Sequence, residues 1–228
     1  MNILLVRHGE TTWNREGRYQ GRTDIPLSET GHVQVRALGD RLRPIPLAIA
    51  VSSPLSRARA TASAILAGRG GRTDGAHSER GGSLELELDA GLLEISHGGW
   101  EGKLASEVER DHAEMFGVWR TAPGRDAHAG PGAETLGDVE ARAWPVLERL
   151  AARLGPDDTG LIAAHDAVNR VLLCRILGLP LDQVWKFRQA PATLNVLSGR
   201  SLAELQVVRL NDCEHSESLL HAAQHRAL

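Results

Sequence analysis

The chain has 228 residues, a formal net charge of −3 at pH 7, 42% hydrophobic residues and 24% charged ones. That length points to one domain with a core large enough to need no staples, and the charge argues against a general nucleic-acid binder. Cys174 and Cys213, the two cysteines, make neither a disulfide framework nor a metal site by spacing. No apolar run approaches the length of a membrane span, and the short apolar start, followed at once by charge, is not expected to be a signal peptide. The expectation is a soluble protein of the cytoplasm. Of the 26 basic residues, all but Lys103 and Lys186 are arginine, which suits bidentate reading of phosphate.

The apolar run Asn2 to Val6 reads as a buried strand that breaks into Arg7-His8-Gly9-Glu10. Thr11 to Asp24 is polar and Gly-punctuated, a loop or short helix able to wrap a ligand. Ser28 is an N-cap candidate for a helix over Glu29 to Arg43, with Val33, Val35, Leu38 and Leu42 on its apolar face and Pro44 ending it. Leu47 to Val51 reads as a second strand, broken by Ser52-Ser53-Pro54, and Leu55 to Leu66 as an Ala-rich helix. The stretch of about 68–82 is rich in Gly, Arg and Ser and is expected to be an excursion within the domain. Leu84, Leu86 and Leu88 alternate with acids, as in a half-buried strand.

Leu104 to Trp119 is amphipathic and expected to be helical, and Thr121 to Pro131 a loop. Thr135 to Leu154 reads as a long helix, Thr159 to Ala164 as a strand, and Val168 to Leu177 as a helix closed by Gly178. Ala192 to Leu197 and Leu202 to Leu210 look like a hairpin turned at Ser198-Gly199-Arg200. A single domain over 1–210 is expected, with 211–228 as a polar, frayed tail. His215, His221 and His225 in that tail read as solvated side chains, not as metal ligands. Strands alternating with helices and closing on a hairpin argue an α/β, three-layer fold: a mostly parallel open sheet, helices on both faces, antiparallel pairing near the end.

Four places at strand ends or just after them carry related chemistry. They are Arg7-His8, the stretch Ser53 to Arg59, Glu94, and His165-Asp166. Carboxyl ends of parallel strands converge on one edge of a sheet, so these residues can meet. Two imidazoles, at least two guanidiniums and a carboxyl group would then form a phosphate site. Neutral imidazole can attack phosphorus, a guanidinium can grip phosphoryl oxygens, and a carboxylic acid can protonate a leaving alcohol. Taken alone, Arg7-His8 could equally be a surface turn.

Six stretches in this order, LVRHGETTWN, GRYQGRTDIPLSETG, SSPLSRARATA, LLEISHGGWEG, GAETL and AAHDAVNR, resemble the histidine phosphatase superfamily, which includes the phosphoglycerate mutases. The resemblance runs from Ile3 to about Leu210. It implies a phosphoglycerate mutase-like fold; since the residues fill every role without a metal, no metal and no cofactor are expected. It implies that His8 takes the phosphoryl group, that Arg7, Arg57 and His165 hold its oxygens with Asn14 assisting, and that Glu94 protonates the leaving oxygen and later activates water. Thr23 would border the phosphate or substrate pocket. His165 would gain by being cationic beside phosphate, while His8 must be neutral at its attacking nitrogen.

This sequence departs from many members in having Asp166, where they carry Gly, after the second histidine. In the acid-phosphatase branch an acid there can be the proton donor, so the resemblance makes Asp166 an alternative to Glu94. It could instead orient His165 or cap the following helix. Arg59 is expected to be solvated, His97 to sit on a surface loop in preference to lining the pocket mouth, and Trp100, Glu101 and Gly102 to serve packing and a turn. Met115 to Trp119 would be core or a wall of the pocket.

The resemblance fixes the chemistry better than its outcome. Mutases of the family usually carry an Arg-Arg pair in a longer insertion after the EG motif, and here Arg120 stands alone in a short segment. A phosphatase acting on a small phosphorylated metabolite is favoured. The alternatives are a 2,3-bisphosphoglycerate-dependent phosphoglycerate mutase and a non-catalytic phosphate-binding module. No nucleic-acid or membrane partner is expected, and a homodimer is left open.

Overall fold

The computed structural model describes residues 1–67 and 84–216. The expected excursion at about 68–82 and most of the tail lie outside the described residues. A six-stranded sheet runs in the order β3-β2-β4-β1-β5-β6. Its strands are β1 (Asn2–Arg7), β2 (Ile49–Ser52), β3 (Leu86–Leu88), β4 (Thr159–Ala164), β5 (Leu194–Ser198) and β6 (Gln206–Asp212). The first four pair in parallel, and β5 and β6 add antiparallel neighbours on one side.

The central strands are apolar without alternation because both faces are covered. Ile3 and Leu5 of β1, with Val51 and Ile162, pack on one face against α6 (Leu136–Ala151) and α7 (Asp166–Ile176). Leu4 and Val6, with Ala50 and Leu161, pack on the other against α2 (Glu29–Leu42) and α3 (Ser56–Leu66). A short α1 (Thr12–Glu16) follows β1. Caps mark the boundaries: the Ser28 hydroxyl accepts from the Gly31 N–H at 3.0 Å, and Thr135 and Asp138 form a reciprocal box at the start of α6. Among the described residues no helix is long and apolar enough to cross a membrane.

Several expectations need correction. The stretch Leu104 to Trp119 is two helices, α4 (Ala105–Asp111) and α5 (Ala113–Thr121), broken at His112, whose φ of −137° and ψ of 40° are not helical. Val33 is exposed, so the buried stripe of α2 is carried by Gln34, Val35, Leu38 and Leu42. Helix α7 begins at Asp166, two residues before the apolar run that signals it. The connection between β5 and β6 is longer than a tight turn and contains a 3-10 turn at Leu202–Glu204. Strand β6 continues to Asp212, past the expected start of the tail. The Asn211 N–H donates to Asn195 Oδ1 at 2.9 Å, and Arg41 of α2 grips Asp212 with two bonds of 2.6 Å. His215, beside them, lies 3.4 Å from Arg41 and is partly buried.

Candidate active site

In the parallel pairing of β1 with β4, Arg7 stands opposite Ala164. The next residues, His8 and His165, therefore leave the sheet side by side, and the His8 N–H donates to the Ala164 carbonyl at 3.1 Å. On the other side of β4, Ser52 stands opposite Ala163. Ser53 is thereby delivered beside His165, and its hydroxyl lies 2.8 Å from His165 Nε2. Arg57 follows one turn later, inside α3 and fully buried. The register of three strands thus assembles residues that are widely separated in sequence.

The His8 ring is fixed by its own backbone neighbourhood. Its Nδ1 lies 2.7 Å from the Gly9 carbonyl. A carbonyl only accepts, so Nδ1 carries the proton and Nε2 keeps its lone pair. Burial, then the charges of Arg57 and Arg7, hold the His8 pKa well below 6.5. His165 is held well below 6.5 as well, by burial first and then by Arg57 and His8. The site without ligand therefore favours a neutral His165, unlike the cationic form expected beside phosphate.

Each arginine is anchored through its terminal nitrogens. Arg57 donates to the carbonyls of Thr23 at 2.9 Å and Gly21 at 2.8 Å. Burial lowers its pKa to about 10, opposed by Glu94 and Asp24, so it stays charged at neutral pH. Arg7 donates to Asp166 Oδ1 at 3.1 Å and to the Gln189 carbonyl. The Nε atoms of both arginines, His165 Nδ1 and Asn14 Nδ2 are buried and have no hydrogen-bond partner among the described residues. Asn14 is otherwise committed: its Oδ1 accepts from the Thr11 N–H at 3.0 Å. Buried nitrogen donors left unpaired are costly unless a ligand satisfies them.

Glu94 is buried, with Oε1 accepting from the Ile95 N–H at 3.0 Å and Oε2 from the Asp166 N–H at 3.1 Å. Burial, then the nearby Asp166 charge, raises its pKa above 4.5. Asp166 departs from two of the sequence expectations for it, orienting His165 and capping α7. Its two oxygens accept from Arg7 and, at 2.8 Å, from Arg170 Nε. It does not bond His165, and its side chain does not cap α7, whose first N–H is taken by Glu94. Thr23 sits beside Arg57 through its carbonyl, while its hydroxyl donates to Glu101 at 2.7 Å.

His97 is not a surface residue. It is buried, its Nδ1 bonds the Ala129 carbonyl at 2.8 Å, and its ring meets Tyr19 edge-on at 4.7 Å. Glu101 holds the turn as expected, accepting from the backbone of Arg22, Thr23 and His97. Arg59 is exposed, as is Arg120, whose guanidinium lies 5.5 Å from the Trp185 ring. Sequence reasoning missed Ser53, Gln189, Arg170 and Arg142. Ser53 lay within a recognised motif. Gln189 acts through its backbone carbonyl, which no side-chain pattern reveals.

Fold and site together define a class: α/β proteins with a histidine-and-arginine anion site at the carboxyl ends of parallel strands. Residues 3–213 match the histidine phosphatase superfamily (branch 1), and the chain belongs to that superfamily. It is 31% identical over 229 residues to phosphoserine phosphatase 1 of Hydrogenobacter thermophilus, covering 100% of both chains. It is 32% identical over 188 residues to a 2,3-bisphosphoglycerate-dependent phosphoglycerate mutase of Brucella melitensis, covering 81% of this chain and 85% of the mutase. Among solved structures, YhfR of Bacillus stearothermophilus superposes with a TM-score of 0.79 at 30% identity, covering 95% of this chain and 99% of that one. A mycobacterial glucosyl-3-phosphoglycerate phosphatase, solved with VO3, superposes with a TM-score of 0.77 at 28% identity, covering 92% and 98%. With phosphatases among its relatives by sequence and by structure, the chain is a phosphoric monoester hydrolase.

Proposed function

We propose that the protein hydrolyses small phosphomonoesters through a phosphohistidine on His8. The observation that carries this reading is the Nδ1 bond to the Gly9 carbonyl, which leaves Nε2 as the free nucleophile beside two charged guanidiniums. Nε2 attacks phosphorus, and the bond to the leaving oxygen breaks as the Glu94 carboxyl gives that oxygen a proton. The Glu94 carboxylate then takes a proton from water, which attacks the phosphohistidine and restores His8. Arg7 and Arg57, each anchored at one edge, offer Nε to the phosphoryl oxygens, with Asn14 Nδ2 and His165 Nδ1 beside them. An arriving dianion raises the His165 pKa, so this ring becomes a charged donor when it is needed.

Glu94 is assigned as proton donor because burial and Asp166 favour its protonated form, whereas Asp166 is an acceptor for two arginines. The charge on the transferring group is met by protein cations, so the proposed step routes nothing through a metal. Phosphoserine and 3-phosphoglycerate are the first substrates to try, given the relatives above. Phosphate release and isomer formation are followed together, with and without 2,3-bisphosphoglycerate. Release without isomerisation supports hydrolysis. Rapid isomerisation that requires the bisphosphate would make the chain a mutase, and no turnover of any phosphomonoester would leave a binding module.

A further inference from the structure

Glu94 lies in a stretch with no strand ladder of its own, between single 3-10 turns at Ala90–Leu92 and Gly98–Trp100. Its carboxylate is met by the Ile95 and Asp166 N–H groups, and its backbone is held from α6. Arg142 Nη1 donates to the carbonyls of Gly91 at 2.8 Å and Leu93 at 2.5 Å, and Nη2 donates to the carbonyl of Glu94 itself at 3.1 Å. Nε and Nη2 also grip the Glu134 carboxylate, each at 3.0 Å. That carboxylate accepts from the Ser96 N–H at 2.9 Å, and the Glu134 N–H returns a bond to the Ser96 carbonyl at 3.2 Å. The guanidinium thus holds the backbone before Glu94 directly and the backbone after it through Glu134. The seat is tight: a Cβ on Gly91 would stand 2.5 Å from the Arg142 carbonyl oxygen.

We propose that Arg142 is the positioning residue for Glu94, setting where the proton donor stands without touching substrate. This rests on the reading of Glu94 as the acid and base of the reaction. Lysine keeps the charge but is a point donor on a flexible stem, unable to span three carbonyls and a carboxylate. Displacing Glu94 by about 1 Å is enough to cost about 100-fold where proton transfer matters.

The test compares wild type, Glu94→Gln, Arg142→Lys and Glu134→Gln on two substrates. One is phosphoserine, whose alkoxide must be protonated, and the other is p-nitrophenyl phosphate, whose leaving group needs no acid. Melting temperature is read for each variant. In kcat/KM, which reports the steps up to phosphoenzyme formation and so leaves out the water attack common to both substrates, Arg142→Lys is expected to lose about 100-fold on phosphoserine and less than about threefold on p-nitrophenyl phosphate, the signature of a displaced acid. Glu134→Gln, which keeps Arg142, should show the same split more weakly and carries the test if the lysine variant does not fold. Equal losses on both substrates, or none, with the split intact in Glu94→Gln, would overturn the clamp and leave the acid assignment standing. Absence of the split in Glu94→Gln would overturn both.

Discussion

His8 and His165 meet edge to face, their ring centroids 5.1 Å apart and their planes at 61°. The contact is a product of register, since the residues before them, Arg7 and Ala164, are paired across β1 and β4. Both rings are pushed toward the neutral form by burial and by Arg57 and Arg7, and His8 adds to the reluctance of His165 to charge. One proton added to either ring without an anion present meets two guanidiniums and no carboxylate hydrogen bond. On the proposed function, His165 takes its charge in company with a phosphoryl group while His8 stays neutral to attack.

Replacing His8 with Ala removes the only proposed nucleophile. Turnover should fall by about 10³-fold or more, and no acid-labile phosphoenzyme should be trapped on rapid quenching. Normal turnover in this variant would end the phosphohistidine proposal. A chelator should leave wild-type turnover unchanged, and reversible loss restored by a divalent ion would contradict the proposed route.

Asp166→Asn separates the two carboxyl groups. Asparagine keeps the shape but weakens the grip on Arg7 and Arg170. The expected result is a raised KM and a loss of similar size on alkyl and aryl phosphates, about 10-fold in kcat/KM for a weakened phosphate contact. A loss confined to alkyl phosphates, with Glu94→Gln showing none, would move the proton donor to Asp166.

His8, His97 and His165 all have folded-state pKa values below 6.5, each chiefly through burial. The unfolded chain then binds protons that the folded chain refuses. Stability from these groups is fully present above pH 6.5 and is lost as pH falls from 6.5 toward the depressed values. Melting temperature should therefore drop on acidification from pH 7 to 5. Saturating inorganic phosphate should reduce the drop by supplying His165 with an anion. A flat profile over that range would contradict the assignment of these rings as buried and neutral.

Thr135→Ala removes the hydroxyl that accepts from the Asp138 N–H at the start of α6. The cost should be about 1 kcal/mol in urea unfolding. Kcat on p-nitrophenyl phosphate should hardly change, since the cap stands two turns from Arg142. A loss of several-fold in that rate would mean that the helix start is coupled to the phosphate site.

Much of this architecture is readable before any coordinates. β1 and β4 announce themselves as unbroken apolar runs, and the residues that follow them, Arg7-His8 and His165-Asp166, are where strand ends place chemistry. What escapes reading is whatever depends on partners far along the chain. The side chain of Asp166 looks like a donor or a cap from its neighbours, and only Arg7, on another strand, and Arg170 show it to be an ion-pair acceptor. His97 sits in a Gly-flanked stretch that reads as a surface loop, yet Tyr19 and Trp119 close over it. The break at His112 lies within an amphipathic pattern that continues across it, so periodicity alone joins α4 to α5.

The sheet order has a consequence for how the molecule comes into being. β1 lies at the centre, yet its two neighbours are β4, paired from Asn2 with Thr159, and β5, paired from Val6 with Leu194. A growing chain on the ribosome therefore carries β1 with both edges bare until most of the sequence has been made. Such non-local pairing slows folding and leaves an apolar ribbon open to wrong partners in the meantime. Fragments ending before β4 should be sticky and inert, and a shortage of chaperones should reduce the yield of this protein more than that of a helical bundle of equal length.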